Sequence, residues 1–223
     1  MKILAVDTAT NMLTAALWED GVCLGEISLN HKRAHSQRLM PTLQQLFTET
    51  ELAPEEVDLL AASNGPGSFT GLRIGLACVK GLAQALQKPV AAVNTLEGLA
   101  YTAAGDEREI WPLLDGGRGR LYGACYRWNG ERMECRTAPF ATTVEEIGSF
   151  LGDEALLTGD GGRMYAERLG KPCLPGRLCL PMASSVAAAA QFAPRLKPEE
   201  LTALYISKPQ AQRELEERMQ QKS

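Results

Sequence analysis

Apolar and polar positions change period several times along the chain. Residues 2–6 form an apolar, β-branched run that ends at Asp7. Residues 13–18 alternate up to the turn Glu19-Asp20-Gly21, and 22–29 resume beyond it, which predicts three strands with tight connections. From His35-Ser36 the spacing of Leu39, Leu43, Leu46 and Phe47 becomes helical, and Pro41 is tolerated because it falls close to the helix start. Residues 57–62 predict a strand, 70–87 a helix, 89–93 a strand and 95–104 a short helix.

The pattern then restarts. Residues 110–114 are apolar and end at Asp115, 121–128 alternate, Asn129-Gly130 is a hairpin signal, and 132–137 alternate again. The turn glycine follows the aspartate by 14 residues in the first half and by 15 in the second. This parallel predicts a duplicated βββαβα module, with lobes at 1–105 and 106–207 meeting near Gly105-Asp106. The alternative is a single unduplicated α/β domain with an irregular tail. A helix over 143–151, a strand over 155–159, a Gly/Pro-rich passage through Gly176 and an alanine-rich helix from Ser184 complete the second half. A last helix, within 208–221, is expected to return to the first lobe.

Composition narrows the function. The 223 residues are 45% hydrophobic and 22% charged, with a formal charge of -4. That balance suits a globular protein and supplies no global basic field for nucleic acid, so RNA contact would be local or come through a partner. No window approaches the length of apolar chain a membrane span needs. The six cysteines contain no Cys-x-x-Cys pair and no secretory signal precedes them, so a reducing cytoplasm is expected, with the thiols acting as small hydrophobes.

The stretch SNGPGSFTGLRIG, Ser63 to Gly75, poses the main question: phosphate cradle or packing device. Counting from Gly65, the dinucleotide fingerprint requires a sixth-place glycine where Thr70 stands, and a Walker loop requires a lysine that is missing between Leu52 and Val79. A tight strand-to-helix turn capped by Ser68 or Thr70 is the favoured reading, with weak anion binding at the helix start as the other. The long polar side chains of the following helix, Arg73, Lys80, Gln84 and Gln87, share one stripe. Apolar character that broad implies burial on two sides. Gly71 and Gly75, with Cys78 and Leu82 on the same face, would let another helix backbone approach; the 36–50 helix is the candidate neighbour.

Catalytic chemistry is sparsely signalled. His31 and His35 have metal-ligand spacing, yet Lys32, Arg33 and Arg38 crowd them with positive charge and a zinc site wants more ligands. No Gly-x-Ser-x-Gly elbow occurs, and no cysteine has evident activating company. Asp7 and Asp115, at the ends of corresponding strands, could hold a hydrated magnesium beside nucleotide phosphates across an interlobe cleft, with Gly116 offering backbone access. The loop 7–11 has no glycine to match, so only half a clamp is present.

Asp7-Thr8-Ala9-Thr10, the run His35-Ser36-Gln37-Arg38-Leu39-Met40-Pro41, and above all Gly65-Pro66-Gly67-Ser68-Phe69-Thr70-Gly71-Leu72-Arg73-Ile74-Gly75 closely resemble the bacterial TsaB family, once called YeaZ. The resemblance is firm through about Leu99 and collinear beyond. It implies two RNase H-like lobes of the actin-like, sugar-kinase and Hsp70 type. It also implies a part in making threonylcarbamoyl-adenosine (t6A) beside the anticodon of tRNAs reading codons that start with A. Family members act as the non-catalytic partner of the catalytic subunit TsaD, with the small ATPase TsaE, while a separate synthase supplies threonylcarbamoyl-adenylate. Two places depart from the family pattern: Asp115-Gly116-Gly117 where Asp-Ala-Arg is usual, and Ala203-Leu204-Tyr205-Ile206-Ser207 where Pro-x-Tyr-Leu-Arg is usual.

These readings combine into one expectation. The first-lobe helices pack against equivalent helices of a TsaD-like enzyme through Leu39, Leu43, Leu46, Gly71, Leu72, Gly75, Cys78, Val79 and Leu82, with His35 and Arg73 at the rim. Alone, the chain homodimerises through that surface. No cofactor is expected on the isolated chain, ATP or ADP with Mg belonging to the complex interface. The rival reading is an active ATP-dependent small-molecule kinase or ATPase of the same fold.

Overall fold

The computed structural model describes residues 1–30 and 35–206. Strands β1 (Lys2–Asp7), β2 (Met12–Glu19) and β3 (Val22–Asn30) form an antiparallel meander. Helix α1 (His35–Glu49) leads to β4 (Leu59–Ser63), which runs parallel to β1; α2 (Phe69–Leu86) leads to β5 (Val90–Val93), parallel to β4. The strand order is β3-β2-β1-β4-β5, and α3 (Thr95–Ala100) closes the module.

The second sheet repeats this order. Strands β6 (Glu109–Gly117), β7 (Arg120–Trp128), β8 (Met133–Thr143) and β9 (Ala155–Thr158) are arranged β8-β7-β6-β9. The duplication expected from the aspartate-to-glycine spacing therefore extends to sheet topology. Two elements of the second copy are reduced: α4 is only Val144–Ile147, and the fifth strand shrinks to a single parallel bridge between Leu157 and Cys173.

One helix lies where a Gly/Pro-rich passage was expected. Helix α5 (Gly159–Leu169) opens with Gly-Asp-Gly-Gly, residues poor in helix propensity. The tertiary packing explains them. A Cβ on Gly161 would come within 2.9 Å of the Leu121 side chain and 3.0 Å of the Leu113 carbonyl, so only glycine lets α5 sit so close to β6 and β7.

Side-chain alternation sorts the core into three layers. Leu4 and Val6 of β1 face outward onto Leu39, Leu43, Leu46, Leu72 and Val79 of α1 and α2. Ile3 and Ala5 face inward, onto a shared core of Leu96, Leu99, Val186 and Ala187 that also holds Ile110, Leu114 and Tyr126 of the second sheet. Trp111, Leu113, Leu121, Ile147 and Leu157 form the outer core of the second lobe. Helix α6 (Ala183–Ala190) thus lies with α3 between the sheets.

Glu26 of β3 holds α6 in place: its carboxylate accepts from Thr14 Oγ1 at 2.9 Å, the Ala183 N–H at 2.9 Å and Ser184 Oγ at 2.6 Å. Beyond α6, Leu196 bridges Val90 at the edge of the first sheet, and the Leu204 N–H donates to the Asn64 carbonyl at 2.7 Å. Residues 183–206 therefore already carry the return to the first lobe, whereas 208–221 lie outside the described residues, as does His31.

Candidate functional site

The glycine turn is a packing device. Ser68 caps α2, its Oγ accepting the Gly71 N–H at 3.2 Å, and the Ser68 N–H donates to the Ala9 carbonyl at 2.6 Å. A Cβ on Gly67 would collide with that same carbonyl, and one on Gly71 or Gly75 would collide with Thr8. The Thr8 hydroxyl donates to the Gly71 carbonyl at 2.8 Å. The glycines thus bring α2 onto the tip of β1.

This corrects the expected geometry of the docking face. Gly71 and Gly75 do not present an open flank to a foreign helix; their open side is filled by Thr8 of the same chain. Leu39, Leu43, Leu46, Leu72 and Val79 are all buried, covered by β1, β2 and β4. The breadth of apolar character on α2 reflects two contacts inside the lobe, the sheet below and the β1 tip at its start. The residues left at the surface are Met40, 53% exposed, with Phe47, Cys78, Leu82 and Leu86 half-covered. Met40, Phe47, Leu82 and Leu86 rim a groove of about 590 Å³ between α1 and α2, floored by Leu4 and Leu43 and closed at one end by Leu52 and Pro54.

The rim residues are individually tied down. His35 Nε2 lies 2.8 Å from the Thr10 carbonyl oxygen. The Arg73 guanidinium sits 3.8 Å from the Phe69 ring centroid, that ring packs 5.3 Å from Tyr205, and Arg73 Nε reaches the Tyr205 hydroxyl at 3.4 Å. This three-part stack covers the start of α2. Sequence reasoning missed Tyr205, because its partners lie 132 residues away.

A second concavity, about 510 Å³, opens between the lobes. Ala9, Thr10, Asn11 and the turn 66–70 form one wall; Asp115, Gly116, Tyr122 and Asp160 form the other, with Leu204, Tyr205 and Ile206 alongside. Asp7, expected to share a cation with Asp115, is not on either wall. It is buried, its carboxylate accepting from the Ser63 hydroxyl and from the Ala9 N–H at 2.8 Å, and burial pushes its pKa up. The acidic partner of Asp115 is instead Asp160, which opens α5 and accepts the Asp115 N–H at 3.0 Å and the Gly161 N–H at 2.8 Å. Burial pushes Asp160 up as well, against those backbone donors and with the nearby Asp115 charge adding to the rise. Asp160 was legible as the second-lobe counterpart of the turn after β4, had its glycines been read as close contacts.

These walls fit a nucleotide poorly. Among the described residues none lining the cleft is a lysine or arginine, and both Asp115 and Asp160 would face the phosphates. In loop 7–11, where the first lobe would cradle a phosphate, the Ala9 N–H is already taken by the Asp7 carboxylate and the Ala9 carbonyl by the Ser68 N–H. No cluster of three metal-ligating side chains occurs among the described residues.

Two sheets that share the order of their first four strands, facing each other across a shared helical layer with a cleft at the tips of β1 and β6, define a two-lobed RNase H-like protein of the actin-like type. The activator of 2-hydroxyisocaproyl-CoA dehydratase from Clostridium difficile shares this fold at a TM-score of 0.52 and 10% identity over 86% of this chain and 94% of that one. The model of the family described as TsaD: tRNA N6-adenosine threonylcarbamoyltransferase matches residues 23–221. The tRNA threonylcarbamoyladenosine biosynthesis protein TsaB of Escherichia coli is 34% identical over 179 residues, 77% of this chain and 76% of that one. YeaZ from Pseudomonas aeruginosa superposes with a TM-score of 0.81 at 30% identity, over 92% of this chain and 99% of that one. The chain belongs to the TsaB (YeaZ) family.

Proposed function

We propose that this chain is the non-catalytic, docking subunit of a t6A-forming assembly. It pairs with a TsaD-type catalytic subunit through the α1–α2 groove, and a TsaE-type ATPase completes the complex. The product is t6A beside the anticodon of tRNAs that read codons beginning with A, the RNA being held mainly by the partners, as a formal charge of -4 suits. Cytoplasmic placement agrees with this role. Among the described residues no helix is long and apolar enough to cross a membrane.

The observation that carries the reading is the apolar groove itself. Met40, Phe47, Leu82 and Leu86 line it from two helices, and their side chains are incompletely covered by the chain's own core. A knob-bearing helix pair of a partner would complete the packing, and a second copy of this chain would do so in the partner's absence. The engaged loop 7–11 and the acidic cleft walls support a docking rather than a phosphoryl-transfer role.

A second reading, an ATP-dependent small-molecule kinase or ATPase, draws support from Asp115 and Asp160, two carboxylates that face one cleft. Native mass measurement of the chain co-expressed with a TsaD-type subunit separates the readings when combined with ATP turnover of each component. Docking predicts a stable heteromer and no turnover by this chain alone. Turnover by the isolated chain, lost in Asp160→Asn, would establish the kinase reading instead.

A further inference from the structure

Cys173 and Cys179 lie on the turn that replaces the missing fifth strand of the second sheet. Their sulfurs are 3.5 Å apart. The backbone on either side of Cys173 is pinned to β9: the Leu157 N–H donates to the Pro172 carbonyl and the Leu174 N–H to the Leu157 carbonyl, both at 2.9 Å. Between the two cysteines, the Leu178 carbonyl accepts from Thr158 Oγ1 of the second lobe and from Thr102 Oγ1 of the first, each at 2.8 Å. The turn is therefore held from both lobes with its two sulfurs facing each other. Cys173 is half-buried and Cys179 is buried.

We propose that Cys173 and Cys179 are an oxidisable thiol pair, closed by a peroxide into an intrachain disulfide across the interlobe turn. The surroundings favour this chemistry. The hydrogen bond from Cys173 lowers Cys179 to about 7, with Thr158, the Gly159 backbone N–H and the Arg163 charge acting in the same direction against burial. The same contact pushes Cys173 up. Loss of the first proton thus leaves the charge on Cys179, which can take the Cys173 proton as that sulfur reacts.

The redox step balances within the pair and one peroxide. Cys173 is the more exposed of the two residues. As Cys173 Sγ attacks the peroxide oxygen, its proton passes to the Cys179 thiolate, the O–O bond breaks and hydroxide leaves, giving a Cys173 sulfenic acid. Cys179 Sγ then attacks Cys173 Sγ; the S–O bond breaks, and the leaving hydroxide takes the Cys179 proton and departs as water. Two sulfurs are oxidised by one electron each and one peroxide is reduced to hydroxide and water.

The test uses the full chain treated with hydrogen peroxide, alkylated under denaturing conditions and analysed by mass spectrometry. Cleavage after Arg177 places the two cysteines on separate peptides. The expected result is a linked pair of peptides with a loss of about 2 Da, forming at least about tenfold faster than alkylation is lost at the exposed Cys23 and Cys135. Cys179→Ser should abolish the link, and the Cys173 sulfenic acid, formed more slowly without the Cys179 base, should be trapped by dimedone. If that variant does not fold, Cys173→Ser carries the same test: no link forms and Cys179 stays alkylatable. Oxidation of Cys23 and Cys135 while both turn cysteines remain alkylatable would overturn the proposal, as would accumulation of Cys173 sulfinic acid without a linked peptide.

Discussion

Gly75 of α2 lies flush against Thr8: a Cβ there would collide with the Thr8 hydroxyl oxygen, which itself donates to the Gly71 carbonyl at 2.8 Å. The pair joins the start of α2 to the tip of β1 inside one lobe. Gly75→Ala should therefore destabilise the isolated chain by about 1–3 kcal/mol, because the Thr8 hydroxyl must give up its place and its bond to the Gly71 carbonyl. Thr8→Ala in the same molecule should recover part of the loss. Equilibrium urea unfolding of the two single variants and the double variant measures this. Strictly additive losses would mean the two residues do not meet. Gly75→Leu, by the same geometry, disrupts the fold itself rather than a docking face alone.

The docking face is tested where side chains are exposed. Met40→Asp should weaken binding to a TsaD-type subunit by at least about tenfold while the thermal midpoint of the isolated chain changes little, and adding Leu82→Asp should weaken it further at some cost in stability. Titration calorimetry of the two purified subunits reads it directly. Affinity unchanged in the double variant would remove the groove from the interface.

Glu26 is the polar attachment of α6 to the first sheet. Glu26→Ala leaves the Ser184 hydroxyl without its acceptor and the Ala183 N–H with only the longer bond to Thr14 Oγ1 at 3.3 Å, and should cost about 1–3 kcal/mol in denaturant unfolding. Hydrogen exchange should rise first at residues 183–186. Exchange there equal to the parent chain would show that apolar packing alone seats the helix.

Glu97 of α3 lies between the lobes, and burial raises its pKa from 4.5 to about 7, with Arg132 pulling the other way. A carboxyl whose folded pKa is raised binds its proton more tightly in the native state. Its contribution is most favourable below pH 4.5 and declines as pH rises to about 7. The full penalty above that range is on the order of 3 kcal/mol. Glu97→Gln should gain stability over the parent as pH rises from about 5 to about 8. Urea midpoints that keep a constant gap across that range would place the Glu97 charge in solvent.

The local periods were legible before any coordinates. Apolar runs placed β1 and β6, alternation placed β2 and β7, helical spacing placed α1 and α2, and the matched aspartates foretold two sheets of one topology. Where local signals were read alone, they misled. The glycines of α5 looked like a loop because their propensity is poor, and only the close approach of Leu121 and Leu113 makes them helical necessities. The buried leucines of α1 and α2 looked like a docking surface because a hydrophobic pattern reports how much of a helix is covered, not by whom.

The sequence by itself determined most of the elements, their duplication and the family, since these follow from side-chain period and a long contiguous motif. Only the tertiary structure decided that Thr8 fills the open face of Gly71 and Gly75, that Asp160 rather than Asp7 faces the cleft with Asp115, and that Cys173 meets Cys179. Each of these depends on which surfaces pack together and at what distance. Chain distance carries no such information: Asp7 and Ser63 bond across 56 residues, Arg73 and Tyr205 across 132.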